Sequence, residues 1–247
     1  MVHSNSTLSV IIPARNEADN LKDCILEIVS ELQRNQIHHE ILIIDDGSTD
    51  NTLEVLSEIV KRTPTVRYIQ NEGENGFGRA IRLGFENYTG DAVALVMADR
   101  SDSPKNLVDY WNVIKEGYEC AFGSRFVKGS KVHNYPKFKL IINRIVNIFI
   151  KLFFHIELND TTNAFKMYRR EVIDGCKPFI APHFNLTVEI PLKAIIRGYS
   201  WKAIPISWKN RNKGIAKLKL REMGSRYFFI IAYLWLEKFF SKGDYKR

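Results

Sequence analysis

Two short apolar runs, each ending abruptly at polar residues, constrain this chain more than anything else in it. The first is Ser9-Val10-Ile11-Ile12, which stops at Pro13-Ala14-Arg15-Asn16-Glu17. The second is Glu40-Ile41-Leu42-Ile43-Ile44, which stops at Asp45-Asp46-Gly47-Ser48-Thr49-Asp50. Such β-branched runs, bounded by Pro or by Asp-Gly, read as buried strands. Between them Leu21, Cys24, Ile25, Ile28, Val29 and Leu32 recur at helical spacing, so a crossover helix joins the two strands in parallel. The polar clusters then stand side by side at the carboxyl ends of neighbouring strands, the edge at which open α/β sheets bind ligands. Ser48 or Thr49 also suits the cap of a helix beginning near Asp50.

A third apolar run, residues 91–97, leads into Ala98-Asp99-Arg100-Ser101-Asp102-Ser103-Pro104. Carboxylates at a strand end are a common device for holding a divalent cation against phosphate oxygens. Mg²⁺ needs only one or two of them, because phosphate and water complete its octahedron. Asp102, just before Pro104, also suits a turn or a helix cap. The glycine-rich stretch at 71–80 is a weak phosphate signal. Gly73, Gly76 and Gly78 are not followed by the Gly-Lys-Ser/Thr of a Walker loop, and the dinucleotide fingerprint is absent.

At 247 residues and 45% hydrophobic content, the chain is expected to form one large domain, or a domain with a substantial appendage. Its polar start and the short run behind it do not fit a secretory leader. Three widely spaced cysteines, Cys24, Cys120 and Cys176, predict neither a disulfide framework nor a metal nest, and a reducing cytosolic setting is expected.

The excess positive charge is confined to two segments. Residues 122–151 hold seven basic side chains and no acidic one, and residues 205–226 hold seven against Glu222 alone, so the remainder of the chain is net negative. An anionic partner in the second half follows. Lys139, Asn143, Asn147, Lys151 and His155 recur every four residues in an otherwise Leu/Ile/Val/Phe-rich stretch, which predicts a very apolar helix with one polar stripe. The aromatic run 227–236, flanked by Arg226 and by Glu237-Lys238, is half the length needed to span a bilayer. Basic flanks and aromatic-rich faces predict helices lying in a membrane interface. The same faces suit core packing or a dimer interface. Nucleic acid is not expected, because aliphatic residues rather than spaced stacking aromatics separate the basic ones.

The strand ends at 13–17 and 45–48 resemble those of the family 2 inverting glycosyltransferases. The resemblance implies a GT-A type α/β fold, with a mainly parallel sheet flanked by helices and amphipathic interface helices in the C-terminal half. It places Pro13, Arg15 and Glu17 in the nucleoside pocket, Asp45 on the base or ribose with Asp46 beside it, and Gly76 and Arg79 beneath the sugar nucleotide. The family's Asp-x-Asp motif falls on Met97-Ala98-Asp99. Ala98 and Asp99 match, Met97 departs, and Asp102 supplies a further carboxylate. The implied cofactor is Mg²⁺ or Mn²⁺ on Asp99 and Asp102. Gly123-Ser124-Arg125, residues 160–172 with Asp160 and Lys166, and residues 211–218 with Arg211 and Lys217 are similar to the acceptor-side segments of the polyprenyl-phosphate hexosyltransferase group. In that group the first Arg faces the acceptor phosphate and the last loop closes over the diphosphate.

A hydroxyl acceptor must lose a proton as it attacks, whereas a lipid phosphate is already anionic. The position at which hydroxyl-using relatives carry a carboxylate pair reads Thr187-Val188-Glu189-Ile190, with Glu189 and no adjacent Asp, which favours phosphate. Residues 1–130 are therefore expected to form the nucleotide-sugar half, and residues 131–247 the acceptor-binding, membrane-facing half of the same catalytic domain. The expected protein is a peripheral or monotopic transferase at the cytoplasmic membrane face, acting alone, as a homodimer or with a membrane partner. Two alternatives stand beside it: a transferase to a hydroxyl with Glu189 or Asp160 as base, and a binding protein without turnover.

Overall fold

A computed structural model describes residues 6–210, 220–241 and 244–245. The first apolar run forms β1 (Leu8–Ala14) and the second forms β2 (His39–Asp45), joined through α1 (Ala18–Arg34). The strands pair in parallel, with Leu8 opposite His39 and Ala14 opposite Asp45. The six apolar positions read from the periodicity of α1 are the six residues it buries. α2 (Thr52–Arg62), β3 (Val66–Gln70), α3 (Phe77–Asn87) and β4 (Ala92–Leu95) continue the alternation. β4 is shorter than the apolar run that predicts it, because Val96 and Met97 already belong to the loop carrying Asp99.

After α4 (Lys105–Lys115) come β5 (Cys120–Ser124), β6 (Lys131–His133), α5 (Lys137–Phe154), β7 (Lys166–Arg169), α6 (Arg170–Cys176), α7 (Leu186–Ile196), β8 (Trp201–Pro205), β9 (Ser207–Lys209) and α8 (Leu220–Phe240). The main sheet runs β3-β2-β1-β4-β7-β5-β8, and β6 pairs with β9 in a separate two-stranded sheet. β7 is antiparallel to both β4 and β5, while β8 is parallel to β5. The antiparallel strand in the middle restores β5 to the direction of β4. The carboxyl ends of β1, β2, β4 and β5 therefore share one edge with the amino end of β7.

Strand alternation sends apolar residues to both faces. Val10, Ile12, Ile41 and Ile43 pack under α1, α2 and α4; Ile11, Leu42, Ile44 and Val93 pack under α3, α6, α7 and α8. β7 and β8 lie beyond residue 131 yet complete the sheet begun by β1. The three cysteines are free and buried, and burial pushes the Cys176 thiol up to about 12.

α5 buries Ile150 and Phe154 in the core, with a polar residue beside them. Asn147 is fully buried. Asn143 and Asn147 both donate to Thr162 Oγ1, at 2.8 and 3.0 Å, and so dock the helix on the loop before β7. Ile141, Ile145, Ile148, Phe149 and Leu152 point into solvent. Phe153 stacks on Trp235 of α8, with centroids 5.7 Å apart, and α8 adds exposed Phe228, Phe229, Leu236, Phe239 and Phe240. Among the described residues no helix is long and apolar enough to cross a membrane.

Candidate active site

The first two strand ends are sewn together by their own polar residues. Asn16, in the left-handed region at φ 52, donates its N–H to Ser48 Oγ at 2.9 Å and accepts the Thr49 N–H at 2.7 Å. Glu17 N–H donates to Thr52 Oγ1 at 3.1 Å, so the start of α2 satisfies a donor at the start of α1. The capping work at α2 belongs to Asp50, whose Oδ1 accepts the Thr52 N–H at 3.0 Å. Ser48 instead joins the two loops.

Asp45 and Asp46, adjacent in sequence, do different things. Asp46 is buried and accepts the Gly76 N–H at 2.8 Å and Asn71 Nδ2 at 2.8 Å, which fixes the glycine-rich loop. Asp45 is buried as well, but its Oδ1 has no hydrogen-bond partner. An unsatisfied carboxylate oxygen inside a protein is costly, and here it stands at the end of β2, opposite Ala14 of β1.

The glycines at 76 and 78 serve close packing. A Cβ on Gly78 would lie 2.3 Å from the Ala181 carbonyl, and one on Gly76 would lie 2.5 Å from the Pro182 carbonyl. The N–H groups of Gly78 and Arg79 donate to Pro182 O at 3.1 and 3.3 Å, so the start of α3 is capped by the protein itself. Arg79 holds Glu74 and the Asn75 carbonyl.

The loop after β4 forms one wall of an open cleft of about 390 Å³. Its other walls are the start of α1, with Asp19 and Asp23, and the small sheet, with His133, Trp208 and Asn210. Asp99 and Asp102 both line it and are both largely buried, as is Ala98. Asp99 Oδ1 accepts the Ser101 N–H at 3.1 Å. Met97 occupies the place of an acid, and its backbone carbonyl faces the Cys24 thiol of α1. Burial, with Asp99 nearby, pushes the Asp102 carboxyl up to about 7, and Asp102 Oδ1 has no hydrogen-bond partner. β9 closes the loop from the other side. Lys209 N–H donates to Ser101 O at 2.9 Å, and Trp208 bridges Asp102.

Arg125 and Asp160 are brought together. Arg125 donates its backbone N–H and Nε to Asp160 Oδ2, at 2.9 and 2.8 Å, and Nη2 to Oδ1 at 2.7 Å. Asp160 is fully buried, and its charge holds Arg125 protonated more firmly than usual, above the cost of burial. Lys166, at the start of β7, is buried and donates to the carbonyls of Thr161 and Asn163. Burial pulls its ammonium down to about 7.

Glu189 sits apart from this edge, in α7. It is fully buried, accepts the N–H groups of Ile180 at 2.9 Å and Ala181 at 2.8 Å, and pairs with buried Lys193 at 3.1 Å. Arg211 and Lys217 lie outside the described residues. Two features of the site escape a reading of the sequence. Arg100, at φ 59, ties the carboxylate loop to Asp23 and Glu27 of α1; no local signal announces it. β9 crossing the loop is foreshadowed only by the aromatic and branched residues between Trp201 and Trp208.

A family model described as Glycosyl transferase family 2 matches residues 9–176. Dolichol-phosphate mannosyltransferase of Pyrococcus furiosus is 33% identical over 217 residues, 86% of this chain and 59% of that protein. Polyprenol monophosphomannose synthase of Mycolicibacterium smegmatis is 28% identical over 220 residues, 85% of this chain and 80% of that protein. The chain thus spans about three fifths of the length of the first of these relatives. Among solved structures, glucosyl-3-phosphoglycerate synthase from Mycobacterium tuberculosis in complex with uridine diphosphate matches 95% of this chain and 80% of that one. Its TM-score is 0.68 at 18% identity, a likeness of fold.

Proposed function

The chain belongs to glycosyl transferase family 2, and from that premise we propose that it moves a hexose from a UDP- or GDP-linked donor to polyprenyl phosphate at the inner face of a membrane. One observation carries the choice of acceptor. The two carboxylates that stood as candidate bases for a hydroxyl, Asp160 and Glu189, are fully buried and paired with Arg125 and Lys193. A carboxylate held in a buried ion pair is poorly placed to take a proton from substrate. A phosphate oxygen needs no base. The names of the two relatives, a dolichol-phosphate mannosyltransferase and a polyprenol monophosphomannose synthase, support the same acceptor class.

In this reading Asp45, with its unmatched oxygen, takes a donor group of the base or ribose beside Pro13, Arg15 and Glu17. An acceptor phosphate oxygen attacks the anomeric carbon as the bond to the diphosphate breaks, with inversion. Asp99 and Asp102 fit a divalent cation, because Asp102 Oδ1 is an orphaned buried acceptor and the two acids adjoin. Among the described residues no set of three or more acidic, His or Cys side chains forms a metal nest. That suits Mg²⁺ or Mn²⁺ completing its shell with diphosphate and water, and such an ion would offset charge on the leaving group. A structure of the same fold was crystallised with Mn²⁺ and UDP-glucose. The exposed apolar faces of α5 and α8 support a membrane location for the acceptor end.

The test is transfer from a panel of UDP- and GDP-sugars to farnesyl phosphate, with Mg²⁺ or Mn²⁺ and with farnesol as the uncharged comparison. Turnover that requires the phosphate and is lost in Asp99→Ala is the expected result. Transfer to farnesol or to a sugar hydroxyl in its place overturns the proposal.

A further inference from the structure

Asp99 and Asp102 line one cleft and are separated in the chain only by Arg100 and Ser101. The spacing of the two carboxylates is therefore set by how the backbone turns at that pair. Ser101 is fixed on both sides: its N–H donates to Asp99 Oδ1 at 3.1 Å, and its carbonyl accepts the Lys209 N–H at 2.9 Å. Arg100 makes the turn. It occupies the left-handed region at φ 59, where a residue with a long side chain is disfavoured and persists only if its surroundings impose it.

Those surroundings are on α1. Arg100 Nη1 donates to Asp23 Oδ2 at 2.8 Å, and Nη2 donates to Glu27 Oε1. Asp23 and Glu27 stand one helical turn apart and repel each other unless a cation lies between them. The planar fork of a guanidinium spans such a pair. From the same helix the Cys24 thiol faces Met97 O at 3.7 Å, so α1 holds the chain on either side of Asp99. Arg100 is 39% exposed, Asp23 59% and Glu27 46%, and ion pairs so exposed add little to folding stability. What this pairing fixes is the turn between two acids.

Resting on the divalent-cation reading given above, we propose that Arg100 is a positioning residue for the metal: clamped to Asp23 and Glu27, it sets the spacing of Asp99 and Asp102 on which a motif with Met97 in place of its first acid depends. In this role Arg100 touches neither the ion nor the substrate.

The experiment measures Mn²⁺ binding by electron paramagnetic resonance in the presence of UDP or GDP, with no sugar donor and no acceptor. It compares wild type, Arg100→Gln, Arg100→Lys, the double substitution Asp23→Asn, Glu27→Gln, and that double substitution combined with Arg100→Gln. Arg100→Gln is expected to weaken Mn²⁺ binding about 10-fold, as loss of a residue that orients metal ligands does. Arg100→Lys, which keeps the charge and loses the fork, is expected to recover part of the loss. The α1 double substitution leaves Arg100 in place but unclamped, and is expected to weaken Mn²⁺ binding by a similar factor. The combination is expected to be no weaker than either, because the partners act as one unit. The metal-free thermal midpoint is expected to stay at the wild-type value throughout.

Charge alone would move the two sites in opposite directions, since losing a cation favours Mn²⁺ and losing two acids disfavours it. Unchanged or tighter Mn²⁺ binding in Arg100→Gln therefore overturns the inference. So does a loss in Arg100→Gln with wild-type binding in the α1 double substitution, because Arg100 then acts on the diphosphate directly. A fall in the metal-free midpoint that accompanies the loss of Mn²⁺ binding overturns it too, being what a purely structural role gives. A wild-type protein that binds no Mn²⁺ with either nucleotide overturns the divalent-cation reading itself, and that result is visible before any substitution is made.

Discussion

Asp160 grips Arg125 through three hydrogen bonds in a place where the acid is fully buried. Removing one member of such a pair strands the other charge, at a cost of about 3–5 kcal/mol. Asp160→Ala is therefore expected to lower unfolding free energy by about that much in urea titrations; a loss under 1 kcal/mol would contradict the geometry. Lys166, close by, makes a prediction in pH. Its pKa falls from 10.5 in the unfolded chain to about 7 in the fold, so between those values the unfolded state binds more protons. This group's contribution to stability is fully present above 10.5 and is lost as pH falls through 7. Lys166→Met removes that dependence, and its melting temperature relative to wild type is expected to be higher at pH 6 than at pH 9.5. A difference that does not vary with pH would mean that Lys166 stays charged throughout. Arg125, Asp160 and Lys166 were each readable as candidates from their motifs. That the first two are partners was not, because nothing periodic links residues 35 positions apart.

Gly78 shows how an element can need a residue that its own propensity disfavours. Replacing a helical Gly by Ala ordinarily stabilises by about 0.5–1 kcal/mol, and Gly224, with open space around it, is expected to follow that rule. At Gly78 the new Cβ would sit 2.3 Å from a backbone carbonyl of the segment crossing α3, so overpacking of about 1–3 kcal/mol is expected to reverse the sign. Denaturant midpoints of Gly78→Ala and Gly224→Ala should move in opposite directions; a shared direction would mean that α3 is not held against residues 181–183. Legibility varied by element. Positions repeating along one element were plain, as the six apolar residues of α1 were, because helical period alone sets which face is buried. β7 was hidden. It is four residues long, opens with a lysine, and owes its place to β4 and β5, with which it pairs from far along the chain. The polar stripe of α5 was legible as a pattern, but its direction was not. Asn143 and Asn147 turn inward to Thr162 beside buried Ile150 and Phe154, and the remaining apolar residues are left outside.

At the scale of the molecule, most of the exposed large apolar side chains among the described residues lie on two helices that touch. α5 contributes Phe138 at 70% exposure and Leu152 at 67%, α8 contributes Phe228 at 70% and Phe240 at 75%, and the contact of Phe153 with Trp235 joins the helices. Patches of this kind mark a surface that is covered in use. A second copy laid symmetrically on the patch would bring Lys137, Lys139, Arg144 and Lys151 of one α5 toward those of the other, with no acid on that helix to offset them. A bilayer rich in anionic lipid offers both hydrocarbon and negative charge. The protein is therefore expected to sediment with phosphatidylglycerol vesicles more strongly than with phosphatidylcholine, and to lose part of that binding as salt screens the basic residues. The double substitution Ile141→Asp, Ile145→Asp is expected to weaken vesicle binding at least about ten-fold through lost apolar burial, with the donor KM unchanged because both side chains point away from the cleft. Equal binding to neutral vesicles would remove the electrostatic part of the argument. A stable dimer in which these isoleucines become protected would remove the bilayer from it altogether.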